Sequence, residues 1–194
     1  MKKLLVLLAL PLLATTAVAL AIEEGWKPWQ FKTNEVYELR VMDHNGRDAK
    51  PTHFVLDIAP GEGEGMVQVS YTTRTQMKAS ELGAQTAFGG MASGMGAGLA
   101  MMINPMAMGF MEQLDLAVGE KMALFGAGHI EVTGKETIAG VEGFVCKMFG
   151  PKNQDSPLQS EWVVNPDLAI PLRSVTYNRG KKGFEVELVR YESR

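Results

Sequence analysis

Three methionines near the middle of the chain, Met106, Met108 and Met111, stand two and three residues apart. That spacing can gather thioether sulfurs around a soft cation such as Cu(I). No histidine or acidic residue accompanies them between Leu82 and Met111, and His44, His53 and His129 are scattered along the chain. Methionine so placed is more often adaptable apolar filling than a ligand, so no metal and no cofactor is expected. The carboxylate pairs Glu23–Glu24 and Glu62/Glu64 read as solvated charge in an exposed terminus and a turn, not as an acid–base dyad. Ser93, in Gly90-Met91-Ala92-Ser93-Gly94, is misplaced for a nucleophile elbow. The glycines at 61, 63 and 65 and at 94, 96 and 98 lack the third position of a dinucleotide loop, and no P-loop is present. No catalytic residue is nominated, and a non-enzyme is expected. Cys146 is the only cysteine, so an internal disulfide is excluded; between Val145 and Lys147, in a strand-like run, it reads as a buried, unreactive thiol.

The methionines belong to a larger feature. Residues 82–111, LGAQTAFGGMASGMGAGLAMMINPMAMGFM, carry no charge over 30 positions and contain seven glycines, seven methionines and six alanines. Gly90, Gly94 and Gly98, four apart, would form a smooth stripe on a helix, the device by which small residues let helices approach closely in membranes or in self-association. A firm membrane span is disfavoured, because each glycine costs about 1 kcal/mol against alanine in a water-exposed helix and Asn104-Pro105 interrupts the hydrogen-bond ladder. The remaining reading is an inner lining, in which Phe88, Met91, Met95, Leu99, Met101, Met102, Met106 and Phe110 present an adaptable apolar surface to a ligand or simply plug the fold. So greasy a stretch needs cover from a sheet, a lipid or another protein.

The elements that must position this stretch are strands. In Glu35–Met42, Tyr37, Leu39 and Val41 alternate with Glu38, Arg40 and Met42, the period of a half-buried strand. Asn45-Gly46 suits a tight hairpin turn, after which Phe54, Leu56 and Ile58 define a second strand. A glycine-rich turn at 60–65 leads to a third strand, in which Val67, Val69, Tyr71 and Thr73 alternate with Gln68, Ser70, Thr72 and Arg74. Six more candidates follow: 121–125, 130–138, 144–149, 159–165, 172–178 and 184–191, separated by turn-forming segments. In the last, Phe184, Val186 and Leu188 share one face and Glu185 and Glu187 the other. The pattern predicts a mainly β fold, a curved antiparallel sheet or open half-barrel with a helical insertion at 82–111 covering it, and no repeat architecture.

Residues 1–21 read as a secretory leader: Lys2 and Lys3, an apolar run from Leu4 to Leu13, then small residues that predict cleavage after Ala19 or Ala21. The apolar run is too short for a membrane span, and Cys146 lies too far away to be a lipidated N-terminal cysteine. A periplasmic protein that is not a lipoprotein is expected, with residues 22–194 forming one domain. Trp26 and Trp29 are expected to dock the new N-terminal segment onto the body of the fold. The net charge of -3 over 194 residues offers nothing to nucleic acid as a main partner.

Gly134-Lys135-Glu136-Thr137-Ile138-Ala139-Gly140-Val141, then Cys146-Lys147-Met148-Phe149, Glu161-Trp162-Val163-Val164 and Ile170-Pro171-Leu172-Arg173, resemble periplasmic proteins related to the LolA/LolB lipoprotein carriers. The resemblance covers roughly residues 119–191 and, more loosely, 35–75. It implies an open antiparallel half-barrel whose concave apolar face is covered by helices and receives acyl chains. It carries over no catalytic or recognition residue, and the uncharged stretch at 82–111 departs from the ordinary amphipathic helices of those carriers. The function expected is therefore binding or carriage of an apolar small molecule or lipid between the sheet and residues 82–111. A structural role, with 82–111 touching a membrane surface or a second copy, is the alternative. The oligomeric state is not legible in the residues.

Overall fold

Alternation of apolar and polar residues along nine segments produces nine strands. The computed structural model describes residues 26–45, 50–75, 109–151 and 158–194. Among them are β1 (Glu35–Asp43), β2 (Thr52–Pro60), β3 (Val67–Thr75), β4 (Lys121–Leu124), β5 (Gly128–Ile138), β6 (Val141–Phe149), β7 (Leu158–Val164), β8 (Arg173–Asn178) and β9 (Lys181–Ser193). All pair antiparallel in one open sheet of order β3-β2-β1-β9-β8-β7-β6-β5-β4. Each expected strand is present, within a few residues of the bounds read from the sequence. The pairing of β1 with β9 is the only long-range step; every other neighbour is also a neighbour in sequence.

Register carries the alternation across the whole sheet. One row runs Asp43–Phe184–Thr176–Ser160–Met148–Ile130–Met122, and the next on the same side runs Val41–Val186–Ser174–Trp162–Cys146–Val132. On the other side the row Met42–Glu185–Val175–Glu161–Lys147–Glu131–Lys121 is largely charged. A one-residue slip would exchange these two sets, so burial of one side pins the register.

Two apolar cores result. One joins Tyr37, Leu39 and Val41 to Phe54, Leu56, Ile58, Val186, Leu188 and the Leu168–Leu172 connection, with Val163 and Ile138. The other gathers Leu124, Ile130, Val132, Phe144, Cys146, Trp162 and Val164 under Trp26, Met111, Leu114 and Leu116. Between them the apolar side carries Ser160 and Ser174, both buried. Strand β7 is buried at five consecutive positions, Ser160–Val164, so both of its faces are covered.

Coiling is visible in one ion pair. Arg173 on β8 and Glu136 on β5 are three strand spacings apart, about 14 Å in a flat sheet. Yet the guanidinium grips both carboxylate oxygens at 2.6 and 2.7 Å. The two side chains meet because the sheet bends, aided by irregularities between Val132 and Gly134 in β5 and between Met148 and Phe149 in β6. The fold is thus mainly β, an open half-barrel-like antiparallel sheet.

Of residues 82–111, where a helical insertion is expected, only Gly109–Met111 are among the described residues, and these three are helical. Phe88, Gly90, Met91, Gly94, Met95, Gly98, Leu99, Met101, Met102 and Met106 lie outside the described residues, as does the leader. One expectation needs refinement. The third strand forms, but its apolar row is not buried: Val67, Val69 and Tyr71 are 48%, 42% and 53% exposed, because β3 is the last strand of the sheet and no described element packs over it.

Candidate functional site

The N-terminal edge of the described chain shows how the apolar side is closed at one place. Trp26 is fully buried, and its indole Nε1–H donates to the Leu168 carbonyl at 2.6 Å. The Trp29 backbone N–H donates to the Ala169 carbonyl at 2.7 Å. The expected docking of this segment by its tryptophans is what the structure has. Close by, Glu35 is buried, accepting from the Lys32 backbone N–H and from the Tyr191 hydroxyl, both at 2.8 Å. Burial, the hydrogen bond to Glu35 and the Glu35 charge push the Tyr191 phenol up to about 12. The Tyr37 hydroxyl, also enclosed, is held far above its ordinary value, first by burial and then by the charge of Glu35. Both phenols stay protonated at neutral pH.

At the β4 edge the described chain resumes at Gly109. The turn Gly109–Met111 delivers Phe110 and the buried Met111 to the second core, followed by Leu114 and Leu116. The chain then enters β4 through Gly119, whose N–H donates to the Val132 carbonyl while Val132 donates back to Glu120. The β4–β5 hairpin closes at Gly126 and Gly128, both with positive φ. A Cβ at Gly128 would run into the Phe149 carbonyl oxygen, so only glycine fits. This geometry leaves Phe125 at the tip with its ring wholly in solvent.

Here lies a cleft of about 610 Å³, lined by Met122, Ala123, Leu124, Phe125, His129 and Pro151, with Lys121 and the hairpin glycines completing its wall. That volume falls in the range of small-molecule sites, roughly 300–1,000 Å³. Met122 and Leu124 belong to the second core, so the cleft is continuous with the apolar side of the sheet. His129 stacks on Phe149 at 5.0 Å between ring centroids. No group of three or more His, Cys, Asp or Glu able to hold a metal occurs among the described residues. The cleft offers apolar contact and shape, with one imidazole at its border.

Sequence reading placed the ligand surface in 82–111. Of the residues nominated there, only Phe110 falls among those described, and it packs against the second core. Met122, Leu124 and Phe125 were read only as a strand. The available signal was an aromatic set between Leu124 and Gly126-Ala127-Gly128, a position where turn chemistry would ordinarily place a polar residue.

On the charged side, Arg173 bridges Glu136 and Glu161, and Glu161 reaches Lys147 at 3.6 Å. Burial works against the Arg173 charge, but the hydrogen bonds it donates to Glu136 and Glu161 outweigh it and hold the guanidinium above its ordinary pKa. Arg40–Glu187, Lys121–Glu131 and Arg190–Glu38 extend the lattice. Every carboxylate named in it faces a cation, which is the arrangement of a structural network.

No family model matches the chain, and no curated protein or solved structure is significantly similar to it. The class of protein is therefore set by its architecture alone: an open antiparallel half-barrel-like sheet with an apolar cleft at one edge.

Proposed function

We propose that this chain is an exported, periplasmic protein that binds or carries an apolar ligand, a lipid or acyl chain, on the apolar side of its half-barrel. The observation that carries the reading is the cleft at the β4–β5 hairpin, which opens beside Met122 and Leu124, residues of the core that Phe110 and Met111, the end of the uncharged stretch, also join. The leader at 1–21 and the likeness to LolA/LolB-type carriers support the compartment and the ligand class; lipoprotein transport itself is not part of the proposal.

The test uses protein purified from the periplasm of a bacterial host. Its organic extract should contain a lipid by mass spectrometry, and a fluorescent fatty acid should bind and be displaced by unlabelled acyl chains. Met122→Glu, which sets a carboxylate in the cleft, should weaken that binding at least tenfold, about 1.4 kcal/mol. Absence of both lipid and probe binding would refute the proposal.

A further inference from the structure

We propose that β3 is a self-association edge: two copies of this chain join antiparallel through the free sides of β3 and continue the sheet across a two-fold axis. Among the described residues β3 is paired on one side only, and its pairing with β2 runs unbroken from Thr52↔Thr75 to Pro60↔Val67. A free edge presents a row of N–H and C=O groups, and proteins guard such edges with charge, proline, a bulge or a covering element. Strand β3, VQVSYTTRT, has none of the first three except Arg74 near its end. Its apolar row is in register with buried neighbours, Val69 beside Ile58 and Tyr71 beside Leu56. Val67, Val69 and Tyr71 are half exposed, and Met66 at the start of the strand is 60% exposed.

The charges argue for a second copy as the occupant. Glu62 and Glu64 lie in the turn before β3 and Arg74 near its other end, and none of the three has an ion-pair partner among the described residues. An isologous interface requires a surface complementary to itself, and an antiparallel strand with opposite charge at its two ends meets that condition. Pairing centred on Val69 sets Val69 against Val69 of the other copy, Val67 against Tyr71, and Gln68 against Ser70. It also brings each Arg74 toward the turn of the other copy that carries Glu62 and Glu64, twice by symmetry. Cross-strand apolar and opposite-charge pairs of this kind each contribute about 0.2–1 kcal/mol. The inference stands apart from the apolar cleft, which lies at the opposite edge of the sheet.

Sedimentation or light scattering of the purified protein across a concentration series tests it. The wild type should be a dimer. Val69→Lys, which sets two ammonium groups face to face on the axis, should give a monomer with unchanged circular dichroism. Arg74→Glu should raise the dimer Kd at least tenfold, about 1.4 kcal/mol. The exchange Glu64→Lys with Arg74→Glu should restore it to within about threefold. Val69→Cys should form a disulfide-linked dimer on oxidation, since Cys146 is buried and does not compete. Should Val69→Lys lose the fold, the exposed charge exchange and the cross-link still decide. A monomer up to about 100 μM, as when another segment or partner occupies the edge, overturns the inference. So does a dimer indifferent to the charge exchange.

Discussion

Arg173 shows how much of the charged side depends on one planar, forked cation. Its guanidinium spends two nitrogens on Glu136 and a further contact on Glu161, whose side chain is only 12% exposed. Removing it leaves two carboxylates facing each other across the bend, one of them buried. Arg173→Ala should therefore lower the unfolding free energy by about 3 kcal/mol, measured by urea denaturation. Arg173→Lys should recover only part of this, because an ammonium cannot match the bidentate geometry. Replacing Arg173 and Glu161 together by leucine should be milder than Arg173→Ala, since no buried charge is then orphaned; an equal or larger loss would remove the network account. The participants were visible in the sequence as ordinary charged strand residues. Their meeting was not, because it needs a bend that brings β5 toward β8.

At the scale of elements, local pattern was sufficient for the strands and silent about what lies on them. The period of two marked most of the strands, since most of them bury one side. Glycines at 126, 128, 140 and 180 mark turns with positive φ, as turn chemistry predicts. The segment 26–34 is different. It is held by Trp26, whose indole packs into the second core and whose N–H reaches Leu168 across 142 positions of chain. Trp26→Ala should cost about 3–5 kcal/mol by cavity formation. Trp26→Phe, which keeps most of the packing and loses the hydrogen bond, should cost nearer 1–2 kcal/mol. Thermal denaturation of both variants checks the order, and a Phe variant as unstable as Ala would show that the hydrogen bond dominates. The cleft at the β4–β5 hairpin was missed for a related reason. A short strand ending in Phe125 looks like any edge strand until the hairpin glycines fix which way the ring points.

The whole molecule has a pH signature that follows from its interior. Burial pushes the Cys146 thiol up to about 12 from an ordinary 9.0, and the Tyr191 phenol to about 12 from 10.0. Both groups stay neutral more firmly folded than unfolded, so their contribution is complete below the unfolded values. It declines as pH rises through about 9 toward 12, by about 1.4 kcal/mol per pH unit for the thiol once the unfolded chain has ionised. Urea midpoints should fall over that interval, and Cys146→Ala should flatten the decline. In the native protein at pH 8 a thiol reagent should react with Cys146 only after denaturant is added; immediate reaction would contradict its burial.

Taken alone, the order of residues settled the alternating strands, the buried thiol and the docking tryptophans. Each is decided by neighbours a few positions away, where side-chain period and turn chemistry act. The closing of β1 against β9, the bend that joins Arg173 to Glu136, the bare apolar row of β3 and the cleft beside Phe125 belonged to the tertiary structure. They arise from pairing between segments far apart in the chain, and no local periodicity encodes which strand becomes an edge or which way the sheet coils.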